Sequence, residues 1–183
     1  MQISPFIKIN HFPLLKKNHN INNYFGNHVN HSKNGGIKMI RNCQITDSPA
    51  IQRLNKKELG SNYPLDQTTK NLANILNDPQ HHWLLVFVDD KSQDIKGYIH
   101  AELYETTYLA PMFNILALAV DSSFQGKGIG RQLMQTIEKT AQSLGIKEIR
   151  LNSSTSRANT HQFYENIGYT SHKIQKRFGK KLD

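Results

Sequence analysis

From about Met39 to the C-terminus the chain predicts a mixed α/β domain. Short β-rich segments alternate with helical ones, an unbroken apolar strand runs from Asn114 to Val120, and that strand feeds a glycine-rich loop that opens a helix. A length of 183 residues suits one domain with a short appendage. The hydrophobic fraction of 37% suffices for one core. No apolar run approaches the roughly 18 residues of a membrane span, so a membrane partner is not expected.

The first 38 residues form a separate compositional regime. They hold eight asparagines, four histidines and five lysines, with no acid and no arginine, and Pro5 and Pro13 break any helix. Such a segment buries too little apolar surface to offset the entropy of ordering it, so a disordered tail is expected over residues 1–38. Lys8 and Asn10 interrupt the one candidate for a secretory apolar core, and the lack of arginine argues against a mitochondrial presequence. His28 and His31 have no carboxylate or thiolate beside them, which predicts a solvated pair rather than a metal site. The tail also carries +5 of the formal net charge of +9, leaving an ordinary +4 on residues 39–183. A nucleic-acid partner is therefore not expected, because the tail offers only Tyr24 and Phe25 for stacking, in lysine-poor sequence.

Within the domain, Ile40–Ile45 reads as a strand. Its single cysteine, Cys43, has no base beside it and reads as a buried structural thiol in a protein of the reducing cytosol. Asp47-Ser48-Pro49 offers a helix cap and an early proline, and the helix runs toward Leu59. A second helix starts near Asp66 with Leu72, Ile75 and Leu76 on one face. His82–Asp89 and Ile95–Tyr104 read as a hairpin, and Asn114–Val120 as a strand buried on both faces. Ile129, Leu133, Ile137, Ala141 and Leu144 then recur at helical spacing, with Gly145 as the stop. Lys147–Asn152 predicts a strand, Arg157–Asn166 a helix ending at Gly168, and Tyr169–Leu182 a terminal β-segment.

The most informative stretch is Asn114–Arg131, NILALAVDSSFQGKGIGR. In the loop Gln125-Gly126-Lys127-Gly128-Ile129-Gly130 the glycines let backbone N–H groups approach an anion without a Cβ in the way. The helix N-terminus adds partial positive charge, and Lys127 and Arg131 add full charges. The loop suits a pyrophosphate. A dinucleotide fingerprint GxGxxG would need glycine at position 131, where arginine stands, and GxxxxGK[ST] has no match. The pattern Q/R-x-x-G-x-G/A after an apolar strand fits throughout.

On these residues the chain resembles the GNAT superfamily of acyl-CoA-dependent N-acetyltransferases. Asp121 and Phe124–Gly130 resemble the family's second motif, and Arg157 with His161–Tyr169 its third. Gln175, Phe178 and Lys180-Lys181-Leu182 are similar to its closing strand. The resemblance covers residues 39–183. It implies a mostly antiparallel central sheet with flanking helices and a V-shaped splay between two central parallel strands. It also implies acetyl-CoA as cosubstrate and no metal. Gln125, Gly126, Lys127, Gly128, Ile129, Gly130 and Arg131 would hold the pyrophosphate, and the backbones of Leu118 and Val120 would pair with the pantetheine arm, a strand N–H polarising the thioester oxygen.

The resemblance further casts Tyr164 as the general acid for the departing thiolate, a role a phenol with pKa about 10 can fill. A core tyrosine stacked beside Phe163 is the structural alternative. Where some members carry a glutamate base, this chain has Asn114 and Asn152. Tyr98, His100 and Glu102 alternate onto one strand face, making His100 and Glu102 the candidates for the base, or simply polar residues of a half-exposed sheet. Arg157 and Thr160 stand where many members have asparagine and alanine. Three readings remain: an acetyltransferase for a small or peptidic amine, a catalytically silent acyl-CoA-binding module, and a basic nucleic-acid binder. The expected partners are acetyl-CoA and an amine acceptor, with a homodimer allowed.

Overall fold

The computed structural model describes residues 28–31 and 37–182. Most of the 1–38 tail therefore lies outside the described residues. Two pieces of it are in strands: β1 (His28–His31) pairs antiparallel with β2 (Ile37–Asn42). After a short 3₁₀ turn come α1 (Ser48–Glu58) and α2 (Leu65–Leu76), then β3 (His82–Val88), β4 (Ile95–Tyr104) and β5 (Met112–Val120). The chain continues through α3 (Ile129–Ser143), β6 (Ile149–Leu151) and α4 (Ala158–Asn166). The six strands lie in chain order in one sheet, antiparallel throughout except for the parallel pair β5–β6.

The sheet has a core on each face. On one side Trp83, Leu85, Phe87, Ile99, Ala101, Phe113 and Ile115 meet the apolar stripe of α3, with Phe163 and Tyr164 of α4 and Ile167 just after it packed at its margin. On the other, Leu84, Val86, Val88, Tyr98 and Ala119 meet Ile51 and Leu54 of α1 and Leu72 of α2. Fully burying one such side chain contributes about 1.5–3 kcal/mol, so the central strands β3 and β4 anchor the domain. Asp47, expected to cap α1, works one turn earlier. Its carboxylate accepts from the Gln44 N–H at 2.7 Å and from both terminal nitrogens of Arg41 at 2.7 and 2.9 Å. Burial acts to raise its pKa, but Arg41 and Gln44 outweigh that and hold it below the usual carboxylate range. Cys43 is buried, and burial with the nearby Asp47 charge pushes its pKa up to about 12, which keeps the thiol protonated and inert.

Two expectations are corrected. The terminal β-segment Tyr169–Leu182 does not form: no strand is assigned there, and Ile174, Phe178 and Leu182 are each more than four-fifths exposed. Nor is β5 buried on both faces. It pairs with β6 only at Phe113, Asn114 and Ile115, and beyond that Leu116 is 48% exposed.

Candidate active site

The site begins where β5 and β6 part. The last parallel pair is Ile115 with Leu151, and β5 runs on alone to Val120 on that side. The β4–β5 register slips at the same place: His100 pairs with Ala117 and Ala101 with Ile115, leaving Leu116 as an extra residue. This bulge reverses the alternation of side chains. Phe113 and Ile115 face α3 before it, and Leu118 and Val120 face α3 after it. The backbone of β5 thereby borders an open wedge whose polar groups lack a strand partner, which is where an extended chain of amide groups can add by strand-like pairing. Of the two residues expected there, Leu118 is half-buried beside the wedge, while the Val120 carbonyl accepts from the Gln125 side-chain amide at 3.0 Å.

β5 leads through Ser122–Phe124 into the glycine loop. Among the described residues, no backbone N–H from Gly126 through Arg131 donates to the protein, and the first donor of α3 is Gln132, to Gly128 O at 3.1 Å. Gly126 and Gly128 hold φ of +74° and +79°, a left-handed conformation that side chains resist, and no atom near either would collide with a Cβ. Gly130 is there for another reason: a Cβ would lie 3.2 Å from the Phe163 ring, so it lets α4 approach α3. The Lys127 ammonium sits 4.2 Å from the Phe124 ring centroid, and Lys96 lies 4.8 Å from the same centroid. Arg131 turns away from the loop and donates to Asn166 O at 3.4 Å, at the C-terminus of α4.

An open depression of about 420 Å³ is lined by Glu58 and by Ser156–Thr160, including Arg157. Glu58 also latches the loop, accepting from the Ser122 N–H at 2.8 Å and from Gln125 Nε2 at 3.4 Å. Glu58 and Lys96 are contributors that reading the sequence missed. Each lies far along the chain from the glycines, and only the packing of α1 and β4 brings them there.

Tyr164 lies on the α3 face, its ring edge-on to Phe163 at 5.2 Å and to Tyr169 at 6.0 Å. Its hydroxyl bonds to no described residue, and Tyr169 rather than Tyr164 makes the structural bond, to Glu138 at 3.1 Å. Burial raises the Tyr164 pKa, with the Arg157 charge pulling partly back, so the phenol is protonated at neutral pH.

His100 and Glu102 lie on the opposite face of the sheet, the α1–α2 side. Tyr98, the third member of their stripe, is buried under α1 and donates to Asn55 Oδ1. His100 Nε2 is 3.2 Å from His82 Nδ1, and Glu102 Oε1 accepts from Asn114 Nδ2 at 2.9 Å. Among the described residues no group of three or more His, Cys, Asp or Glu could hold a metal ion. Burial, reinforced by His82, lowers the His100 pKa to about 4. The unfolded chain therefore takes up this proton near pH 6.5 and the folded protein only near pH 4, so stability is lost as pH falls through that window. Replacing His100 by glutamine is expected to flatten the fall of melting temperature between pH 6.5 and 4. An unchanged slope would show that the imidazole is not buried as described.

The fold and the loop define an acyltransferase architecture, and comparison with known proteins agrees. Residues 48–169 match the model of the acetyltransferase (GNAT) family, and the chain belongs to that family. It is 27% identical over 133 residues to an uncharacterized N-acetyltransferase of Chlorobaculum tepidum, covering 71% of this chain and 74% of that one. It is 23% identical over 155 residues to an N-alpha-acetyltransferase of Sulfurisphaera tokodaii, covering 80% and 89%. Among solved structures, an aminoglycoside N-acetyltransferase in complex with CoA superposes with a TM-score of 0.70 at 17% identity, over 83% of this chain and all of that one. At that identity the likeness is one of fold.

Proposed function

We propose that the protein transfers an acetyl group from acetyl-CoA to a primary amine by direct attack in a ternary complex. The observation that supports this reading most is the continuity of the wedge with the loop. One strand supplies unpaired backbone for a pantetheine arm and then, starting at Gly126 just after Gln125, unpaired N–H groups for a pyrophosphate. The N–H groups of Gly126–Arg131 would hold the phosphates, and the β5 backbone at Leu118 would align the arm. Bound acetyl-CoA supplies the activated acyl carbon.

The two sheet faces divide the remaining work. An amine of pKa about 10 requires roughly 4 kcal/mol to deprotonate at pH 7. His100 and His82, 3.2 Å apart, relay that proton out to solvent rather than retain it, since burial keeps His100 neutral above pH 4, and the Glu102 carboxylate holds the ammonium in place beforehand. The freed nitrogen forms the C–N bond, the C–S bond breaks, and Tyr164 Oη on the other face gives its proton to the sulfur. The amide's surplus proton returns to solvent through the histidines, and Tyr164 is reprotonated from water. The products are a neutral amide and free coenzyme A thiol. Incubating the protein with acetyl-CoA and a panel of primary amines tests this: free thiol should appear together with an acceptor heavier by one acetyl group. Thiol release with no acetylated amine, or none at all, contradicts it.

A further inference from the structure

The row of side chains that includes Glu102 crosses four strands. The register sets His82 opposite Glu102, Glu102 opposite Asn114, and Asn114 opposite Arg150. Asn114 bonds to Glu102, and the Arg150 guanidinium stacks 4.8 Å from the Tyr104 ring, two residues along β4 from Glu102. All of these residues are half-buried, on a face whose neighbouring part is sealed by α1 and α2.

Two charges in this row are uncompensated. Among the described residues Arg150 has no acid within 4 Å and Glu102 has no cation within 4 Å. Glu102 spends one oxygen on Asn114, and its second has no partner among the described residues. Arg150 cannot neutralise by losing a proton, and stacking uses the face of the guanidinium while leaving its N–H edge available. Their backbone positions are two strand spacings apart, about 10 Å, so opposite charges that could have paired are held apart by Asn114 and Tyr104. Arg150 is also remote from the coenzyme's phosphates. It stands level with Asn114, and the six residues from there to Val120 put the glycine loop about 20 Å away along β5.

We propose that the acceptor is a small amine bearing its own anionic group, a carboxylate or a phosphate, with the ammonium at Glu102 and the anion at Arg150. This rests on the reading of the α1–α2 face as the acceptor side. A charge-assisted, bidentate contact at Arg150 favours such acceptors over plain amines by at least about ten-fold in kcat/KM.

The test compares propylamine, β-alanine and phosphoethanolamine at saturating acetyl-CoA. At least one anion-bearing amine should exceed propylamine by ten-fold or more, and whichever leads names the anion. In Arg150→Gln that ratio should collapse toward one, mainly through KM, while Arg150→Lys keeps part of it. The stabilisation of Arg150→Gln by acetyl-CoA, read as a melting shift equal to the parent's, verifies that the variant is folded. Equal kcat/KM for all three amines in the parent, or a ratio unchanged in Arg150→Gln, would overturn the proposal while leaving acetyl transfer intact. Absence of transfer to every amine would instead remove the reading on which it rests.

Discussion

Replacing Tyr164 by phenylalanine is expected to lower kcat by about 10²-fold or more and to leave the melting temperature of the protein within error. The rate effect is the usual contribution of one positioned proton donor. The stability half follows from the structure: the Tyr164 hydroxyl bonds to no described residue, so its loss orphans no partner, and the ring contacts with Phe163 and Tyr169 survive in phenylalanine. The neighbouring Tyr169 is the built-in contrast. Its hydroxyl bonds to Glu138, so Tyr169→Phe should cost about 1 kcal/mol of stability with little direct effect on turnover. Unchanged kcat in Tyr164→Phe, with any amine the parent accepts, removes the residue from the chemistry.

Replacing Gly128 by valine is expected to have the second large effect. At φ +79° a β-branched residue is strained by about 1–3 kcal/mol, and the loop relieves that strain by rotating its N–H groups out of register. Losing two charge-assisted hydrogen bonds at about 1.5 kcal/mol each should weaken acetyl-CoA binding by about two orders of magnitude. The fold survives, because a Cβ at Gly128 meets no atom closer than Gln132 Nε2 at 3.8 Å. Isothermal titration of the variant checks this, and parent-like affinity would show that the loop does not grip the phosphates.

The residues that were legible in the sequence are those whose role is local. The strand–loop–helix run Asn114–Arg131 announces itself because φ-positive glycines, an apolar strand and a helix start are all neighbours in the chain. The helix beginning near Ser48 and the strand Ile95–Tyr104 were equally readable, from the proline of the first turn and from alternation. What depended on partner strands was not. The run Ile115–Val120 is uniformly apolar, so the sequence contains no sign of the bulge at Leu116 or of where β6 stops. Register between strands has no local signature either. That is why His100 and Glu102 could be placed on one face, while His82 and Arg150, which complete their row, could not be identified. Tyr169–Leu182 failed for the converse reason: it has β-compatible composition, but strand formation needs an edge to pair with, and in this structure it makes no such pairing.

On the proposed function, one strand and the loop it feeds grip a pantetheine arm and a pyrophosphate together. Parallel calorimetric titrations with acetyl-CoA and with S-acetylpantetheine, which keeps the thioester and lacks the phosphates, test it most directly. One-to-one binding of acetyl-CoA at micromolar Kd, equivalent to about 8 kcal/mol, is expected, with a loss of at least two orders of magnitude for S-acetylpantetheine. Equal affinity for the two, or no binding of acetyl-CoA, would contradict it.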